Sequence, residues 1–405
     1  MESEIEKRVK AKERALRGED TPRHTKMHVY YRPADRKHTY DISGDVAADL
    51  LNCSYTDCIT DESDELSVTL KDERGKWADS WSPVRGDKVE VGFDTLSRGL
   101  IYTGDMIIDR LTTSGRPRVF SFSACSIPLD NTIRRTAKTR TFEKSSLKTI
   151  ANQIAQDNSL KFMWDCQEDP KYDRTDQQQE SDLAYLKKLC TDAGFTVKVT
   201  STTLVIFDQT VYEKKKAIKT LTESGSTVLS WSFEAQQSER YKAVTVKWRD
   251  LKKKTRSSTS STASKSSSSG QSRQEILDSY IKGYQPTKGS KVKKGSTAPK
   301  TEYTDYTYED PNVDDSGQIY VLKKRCTSLA EAERLARAKL RKLNLRQLTG
   351  SLTVVGDPEL VAASVIELKG FGSFDGNFII EKATHSMDGG GYKTSIDVRR
   401  VNCDY

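Results

Sequence analysis

The residue types that do covalent or metal chemistry are sparse in this chain and poorly spaced. Four histidines, His24, His28, His38 and His385, build no HExxH motif, so zinc hydrolysis is not expected. His385 stands alone in a strand-like stretch and reads as structural. Seven cysteines, Cys53, Cys58, Cys125, Cys166, Cys190, Cys326 and Cys403, are odd in number, scattered, and form no C-x-x-C. They read as small buried hydrophobes or inert thiols of a reducing compartment. Gly370-x-Gly372-x-x-x-Gly376 misses the dinucleotide spacing by one residue and lies between strands, so it reads as a turn. Asp310-x-Asn312-x-Asp314 opens like a calcium loop, but Asp315 stands where the glycine belongs and Val321 where the bidentate Glu belongs. No G-x-S-x-G or Ser/His/Asp set occurs. No helix or cleft singles out a carboxylate pair for glycan cleavage. The expectation is a chain without catalytic residues, cofactor or metal.

The patterned elements are those of a mainly β chain. Residues 2–17 make a charged helix candidate whose thin apolar stripe is Ile5, Val9, Ala15 and Leu16; too weak to stand alone, it is a candidate partner-docking helix through Ile5, Val9 and Leu16. From Met27 to Leu129 short strands alternate with turns. Met27–Tyr31, Leu50–Thr56, Glu65–Leu70, Val89–Phe93, Leu100–Gly104 and Val119–Ala124 follow one another, with Trp77, Trp81 and Gly86-Asp87 between. Such spacing predicts a β-barrel or sandwich. From Phe142 to Tyr212 the pattern is α+β: a helix capped by Ser146, a strand at Leu160–Trp164, a helix capped by Ser181 or Asp182 and ended by Gly194, then a hairpin of Phe195–Val199 and Leu204–Phe207. Strands return at Leu229–Phe233 and Ala243–Trp248. In the last quarter, Ser328-Leu329-Ala330-Glu331 has the form of a capping box. Leu329, Ala332, Ala336, Leu340 and Leu343 follow at helical spacing, and strands continue to Val398. That helix is expected to pack on those strands.

At 405 residues the chain should hold two to four domains. No run of 18 apolar residues occurs, so no transmembrane helix is expected. The charged start, Met1 to Glu6, has no apolar core, so no signal peptide is expected and folding is assigned to a cytoplasm. The net charge of +8 is local. Residues 251–302 carry 12 Lys/Arg against 3 Asp/Glu, which leaves −1 for everything else. That Ser/Lys-rich stretch reads as a solvated, disordered loop. A nucleic-acid-binding protein acting through 251–302, by Lys252–Lys254 and Lys291–Lys294, is one alternative; a basic face on a folded domain, which that function favours, is lacking. A tail-associated cell-wall hydrolase is the other.

Several passages together resemble the phage late control gene D family and the hub portion of VgrG proteins. They are Ser181 to Phe195; Ala330 to Leu343 with Gly350–Thr353, Gly356-Asp357-Pro358 and Gly370 to Gly376; and Leu66–Leu70 with Trp77, Trp81 and Gly86-Asp87. The resemblance covers Met27 to Val401 apart from the basic insert. It implies a non-enzymatic baseplate hub of a contractile phage tail or phage-tail-like particle, a homotrimer adapting the sixfold tail tube to the threefold spike. It implies an α+β, mainly β fold: an N-terminal helical arm (1–25), a first tail-tube-like β-barrel (26–128), an inserted α+β module (129–213), and a discontinuous second barrel (214–250 and 318–405). The low-complexity insert and its acidic lead-in take 251–317. Implied partners are the tail tube or tube-initiator protein, tape measure protein, wedge proteins and a central spike, expected to be separate because the chain stops four residues after Val401. No membrane in the assembled state and no specific nucleic acid are implied. The implied location is the tail baseplate of the virion or particle, assembled in the host cytoplasm.

Overall fold

A computed structural model describes residues 25–35, 38–59, 63–95, 99–127, 132–235, 240–249, 303–310 and 317–401. The fold is α+β and mainly β. The first unit contains β1 (Thr25–Arg32), β2 (Tyr40–Asp41), α1 (Ser43–Asp49), β3 (Leu50–Cys58), β4 (Glu65–Lys71), a π-helical turn (Lys76–Ser80), β5 (Lys88–Thr95), β6 (Gly99–Tyr102), β7 (Met106–Ser114) and β8 (Val119–Cys125). Alternation decides which side faces in. Leu66, Val68 and Leu70 of β4 are fully buried, and they meet Val29, Tyr55, Val91, Phe93, Ile108 and Phe122 in one core that the strands wrap. Asp87, buried beside Gly86, ties the end of β1 to the loop before β5. It accepts from the Tyr31 hydroxyl and from the amides of Ala34 and Val84.

The module that follows contains α2 (Thr132–Arg135), β9 (Ala137–Ser146), α3 (Leu147–Asp157), β10 (Lys161–Asp165), β11 (Lys171–Ser181), α4 (Asp182–Ala193), β12 (Thr196–Val199), β13 (Thr203–Phe207) and α5 (Gln209–Glu213). Ser146 and Ser181 accept from Thr149 N and Ala184 N, the expected N-caps. Gly194 ends α4 in the left-handed region at φ 81°. A Cβ there would also stand 3.3 Å from that of Ala338, so glycine is needed twice over. Leu147, Ile150 and Ile154 of α3 pack on Leu183, Leu186 and Leu189 of α4 and on Leu204 and Ile206 of β13.

The remainder contains β14 (Lys219–Thr222), β15 (Val228–Ala235), β16 (Tyr241–Trp248), β17 (Thr304–Glu309), β18 (Gln318–Cys326), α6 (Leu329–Asn344), β19 (Leu348–Val355), β20 (Val365–Lys369), β21 (Gly376–Asp388) and β22 (Gly391–Arg400). Several expectations change here. Helix α6 packs on the separate three-stranded sheet β17-β16-β18, burying Ala332, Leu335, Ala336 and Leu340 against Val244 and Val246, and not on the strands that follow it. Leu335 belongs to the buried stripe, whereas Leu329 is 46% exposed. Strand β17 lies inside the stretch read as insert and lead-in. The capping box also shifts: Ser328 Oγ accepts from Glu331 N at 3.2 Å, but the Glu331 carboxylate takes the amide and hydroxyl of Thr327. Strands β15, β19, β20, β21 and β22 enclose their own core of Leu352, Val354, Ile366, Phe378, Ile380 and Ile396.

The two sheet units are one sheet. β21 pairs with β3 from Lys382 opposite Cys58 to Asp388 opposite Asn52, giving the order β15-β19-β22-β21-β3-β4-β8-β7 with every neighbour antiparallel.

Candidate functional site

The register of this shared sheet sorts its side chains into two faces. One face supplies both apolar cores. On the other, short hydroxyls line up across strands. Ser230 stands opposite Thr353, Thr353 opposite Ser395, Ser395 opposite Thr384, and Thr384 opposite Thr56. A second row runs from Ser386 through Ser54 and Ser67 to Ser123, and a third from Asn52 through Thr69 and Ser121 to Thr112. The rows bind themselves: Thr56 and Thr384 hydroxyls lie 3.1 Å apart, as do Thr353 and Ser395, and Ser121 donates to Thr69 at 3.1 Å. The first of these bonds crosses the junction between the two units. Between them the three rows cover eight neighbouring strands, and Glu65, Lys393 and Asp397 stand among them on the same face.

The junction is held by side chains from three units. Tyr392 of β22 stacks on Phe93 of β5 at 5.3 Å between ring centres, inside the first core. His385 Nδ1 lies 2.7 Å from the Tyr392 hydroxyl, and burial pushes the imidazole down to about 4. Lys198 of β12 reaches Asp57 at 2.7 Å and Asp64 at 3.0 Å. Burial opposes its charge, but the two carboxylates outweigh that and hold the ammonium above its ordinary range. Asp57 also accepts from Ala362 N at 3.0 Å. At the end of β22, on the side of Ser395, fully buried Arg399 donates to Glu213 at 2.5 Å and to Gln209 at 2.8 Å, with Glu381 3.0 Å from its Nε. Arg341 of α6 shares Glu213 at 2.6 Å. Inside the module, Asp182 accepts from Lys138, Arg140, Asn158 and Gln177. Sequence patterning missed these three polar clusters, because an isolated Asp, Glu or Arg in a line of residues carries no sign of burial. The one available hint was Asp182 directly after a capping serine.

The residues singled out for chemistry are not brought together. Among the described residues no group of three or more His, Cys, Asp or Glu could hold a metal. His24 and His28 stand four apart, a spacing that faces a metal only on a helix; from Thr25 the chain is strand, and His28 lies 3.5 Å from Asp94. Cys53, Cys58, Cys190 and Cys326 are buried, and burial raises Cys53, Cys190 and Cys326 above the ordinary thiol range. Gly370 to Gly376 is the expected turn: Asp375 accepts from the amides of Gly370 and Phe371. Asp310 is buried and accepts from Asn344, which braces α6, while Asn312 and Asp314 lie outside the described residues. Ile5, Val9, Leu16 and the basic stretch 251–302 lie outside the described residues.

Comparison with known proteins agrees with this architecture. The family model described as phage tail baseplate hub (GPD) matches residues 128–390. A probable baseplate hub protein of Escherichia phage 186 is 23% identical over 375 residues, covering 89% of this chain and 90% of its own. A tail protein from Neisseria meningitidis MC58 superimposes with a TM-score of 0.61 at 12% identity, over 93% of this chain and 97% of that one. A chain of a Francisella PdpA–VgrG complex shares the fold at a TM-score of 0.50 and 9% identity, over 97% of this chain and 55% of that one. With nearly two thirds of its length matched by the family model, the chain belongs to the phage tail baseplate hub (GPD) family.

Proposed function

We propose that the protein is the non-enzymatic central hub of a contractile tail baseplate. Three copies form a ring that meets the tail tube on one side and the spike on the other. The observation that carries this reading is the shared sheet. Two sets of four antiparallel strands, β3-β4-β8-β7 and β15-β19-β22-β21, are joined side by side by β21 and β3, with rows of hydroxyls crossing the join. Two such units per chain give three copies six repeats, the number a sixfold tube needs, while the chain itself keeps threefold symmetry. The hydroxyl face lines the passage, and the module 129–213 sits on the outside.

The test is co-expression with the tube and spike proteins of the same gene cluster, followed by mass photometry and negative-stain imaging. The expected result is a trimeric ring with a central hole, carrying tube and spike on opposite ends. A chain that stays monomeric at micromolar concentration and captures neither partner would overturn the reading. Peptidoglycan-release assays on the purified chain should give no activity.

A further inference from the structure

A cleft of about 800 Å³ opens into the core of the first unit. Val89, Ile108, Phe120 and Phe122, all members of that core, form its floor. One wall is aromatic. Trp77 and Trp81 meet edge to face with ring centres 6.0 Å apart, and the Lys76 ammonium stands 4.7 Å from each ring centre. Trp77 Nε1 donates to Asp49 at 2.9 Å, so this wall is held in place. Trp81 and Val84, which line the cleft, are 46% and 64% exposed. An apolar floor with exposed large apolar side chains around it marks a place where something packs.

We propose that the occupant is the chain's own segment 2–17, docked through Ile5, Val9 and Leu16. Three observations select it. The first is pattern. On a helix these three side chains fall within about 40° of one another, a stripe too thin to hold a helix in water by itself but sufficient against an apolar surface. The second is reach. Tyr31 lines the cleft, and Thr25, the first described residue, stands six positions earlier on β1, about 20 Å away. Residues 18–24 can span about 25 Å. A second hollow, of about 550 Å³, lies on the way; Thr25, Met27, Ala47, Leu50 and Met387 line it, Ser43 borders it, and Ile42 borders the cleft. Leu16 belongs in this nearer hollow, and Val9 and Ile5, about 10 and 17 Å farther along a helix, in the cleft. The third is charge. Lys12 falls in the same stripe, between Val9 and Leu16, so its ammonium needs a carboxylate beside the apolar surface. Asp35 and Asp41 line the cleft, while Arg85, the cation lining it, donates to the Asp109 carbonyl at 2.9 Å. Segment 2–17 as a whole carries six Lys/Arg against four Glu. Docking closes the exposed opening of the first core, and it stands apart from the ring reading above.

The test uses variants of the full chain. Ile5→Cys or Val9→Cys is combined with Ser80→Cys or Val84→Cys and oxidised at low protein concentration. At least one pair should give an intramolecular disulfide, located by peptide mapping and reversed by dithiothreitol, while either residue combined with Lys188→Cys on α4 should not. As a second measurement, Ile5→Lys with Val9→Lys should speed hydrogen exchange of the Tyr40–Ile42 and Trp77–Val84 amides at least tenfold and leave α3 and α4 unchanged. Unchanged exchange would mean that the cleft stands open in the parent, and would overturn the proposal. Faster exchange with no disulfide from any pair would overturn this placement of the segment. Disulfides formed only between copies would assign the cleft to a neighbour's segment and overturn docking within one chain.

Discussion

Replacing Asp182 by Asn asks whether a buried charge, and not apolar packing alone, holds the polar ribbon β9–β11 against α4. The carboxylate is fully buried. It accepts from Lys138 and Arg140 at 2.6 Å each, and from Asn158 and Gln177 at 3.0 Å each. An amide of the same shape has one acceptor oxygen and no charge, and its NH2 group would face two cations. Removing one side of a buried ion pair costs about 3–5 kcal/mol. The side chains of Lys138 and Arg140 keep 29% and 21% exposure, and Arg140 keeps Asp157 at 2.7 Å. The cost should therefore fall at the lower end, about 3 kcal/mol, which is a rise of roughly 100-fold in local opening. Hydrogen exchange of the α4 and β9 amides reads that opening directly. The pH dependence gives a second, independent readout. Burial alone would raise Asp182, but hydrogen bonds from Lys138, Asn158 and Gln177 and the charge of Arg140 outweigh it and hold the acid below its ordinary range. A depressed acid stabilises the fold above its unfolded value, about 3.9, and loses that contribution as pH falls through the folded value. The gap between parent and variant should thus be full at pH 7 and close below about pH 4. Protection within threefold of the parent at pH 7, or a gap that does not change with acid, would refute the reasoning.

Two other perturbations separate charge from packing. Arg399→Met leaves Glu213 buried with Arg341 as its remaining cation, and should cost about 3–5 kcal/mol in urea unfolding. Glu213→Leu combined with Arg399→Met removes both charges and should recover at least half of that loss; an equal loss in both variants would show that packing, not charge, sets the cost. His385 is held down to about 4 by burial against an ordinary value near 6.5, so the unfolded chain takes up a proton between those values and the folded chain does not. Stability should fall by about 2 kcal/mol between pH 7.5 and pH 5 for the parent. His385→Gln, which keeps an acceptor for the Tyr392 hydroxyl, should fall by clearly less, and identical losses in the two proteins would exclude His385 as the cause.

The parts of the fold legible in the sequence were those where one face of an element is apolar. Leu66, Val68 and Leu70 announce β4, Ser146 and Ser181 announce α3 and α4, and Gly194 announces the end of α4. The ribbon β9–β11 left no such trace, because AKTRTFEKSS and KYDRTDQQQES carry almost no apolar residues. It is held by paired backbone and by Arg140, Gln177 and Asp182. The target of α6 was misread for a different reason. Neighbours in sequence usually pack together, but the apolar stripe of α6 fits Val244 and Val246, about 90 residues earlier, and β19 leaves it behind. Pairing of β3 with β21 was illegible in principle. Ser54 and Ser386 sit in alternating stretches that could pair with many others, and only register brings their hydroxyls into one row.

The ring proposed above needs two kinds of junction, one inside each chain and one between chains, and they face different demands. The inner junction must form in every copy before assembly, so it is held by groups that cost free energy to separate. Tyr392 lies in the neighbouring core, Lys198 stands between two carboxylates, and the Thr56 and Thr384 hydroxyls are paired. The other junction of the proposed ring, between copies, carries no such demand before assembly. The polar clusters follow this division: Lys198 with Asp57 and Asp64 stands at the inner junction, Arg399 with Glu213 ties the end of β22 to α5 and α6, and Asp182 holds the module together.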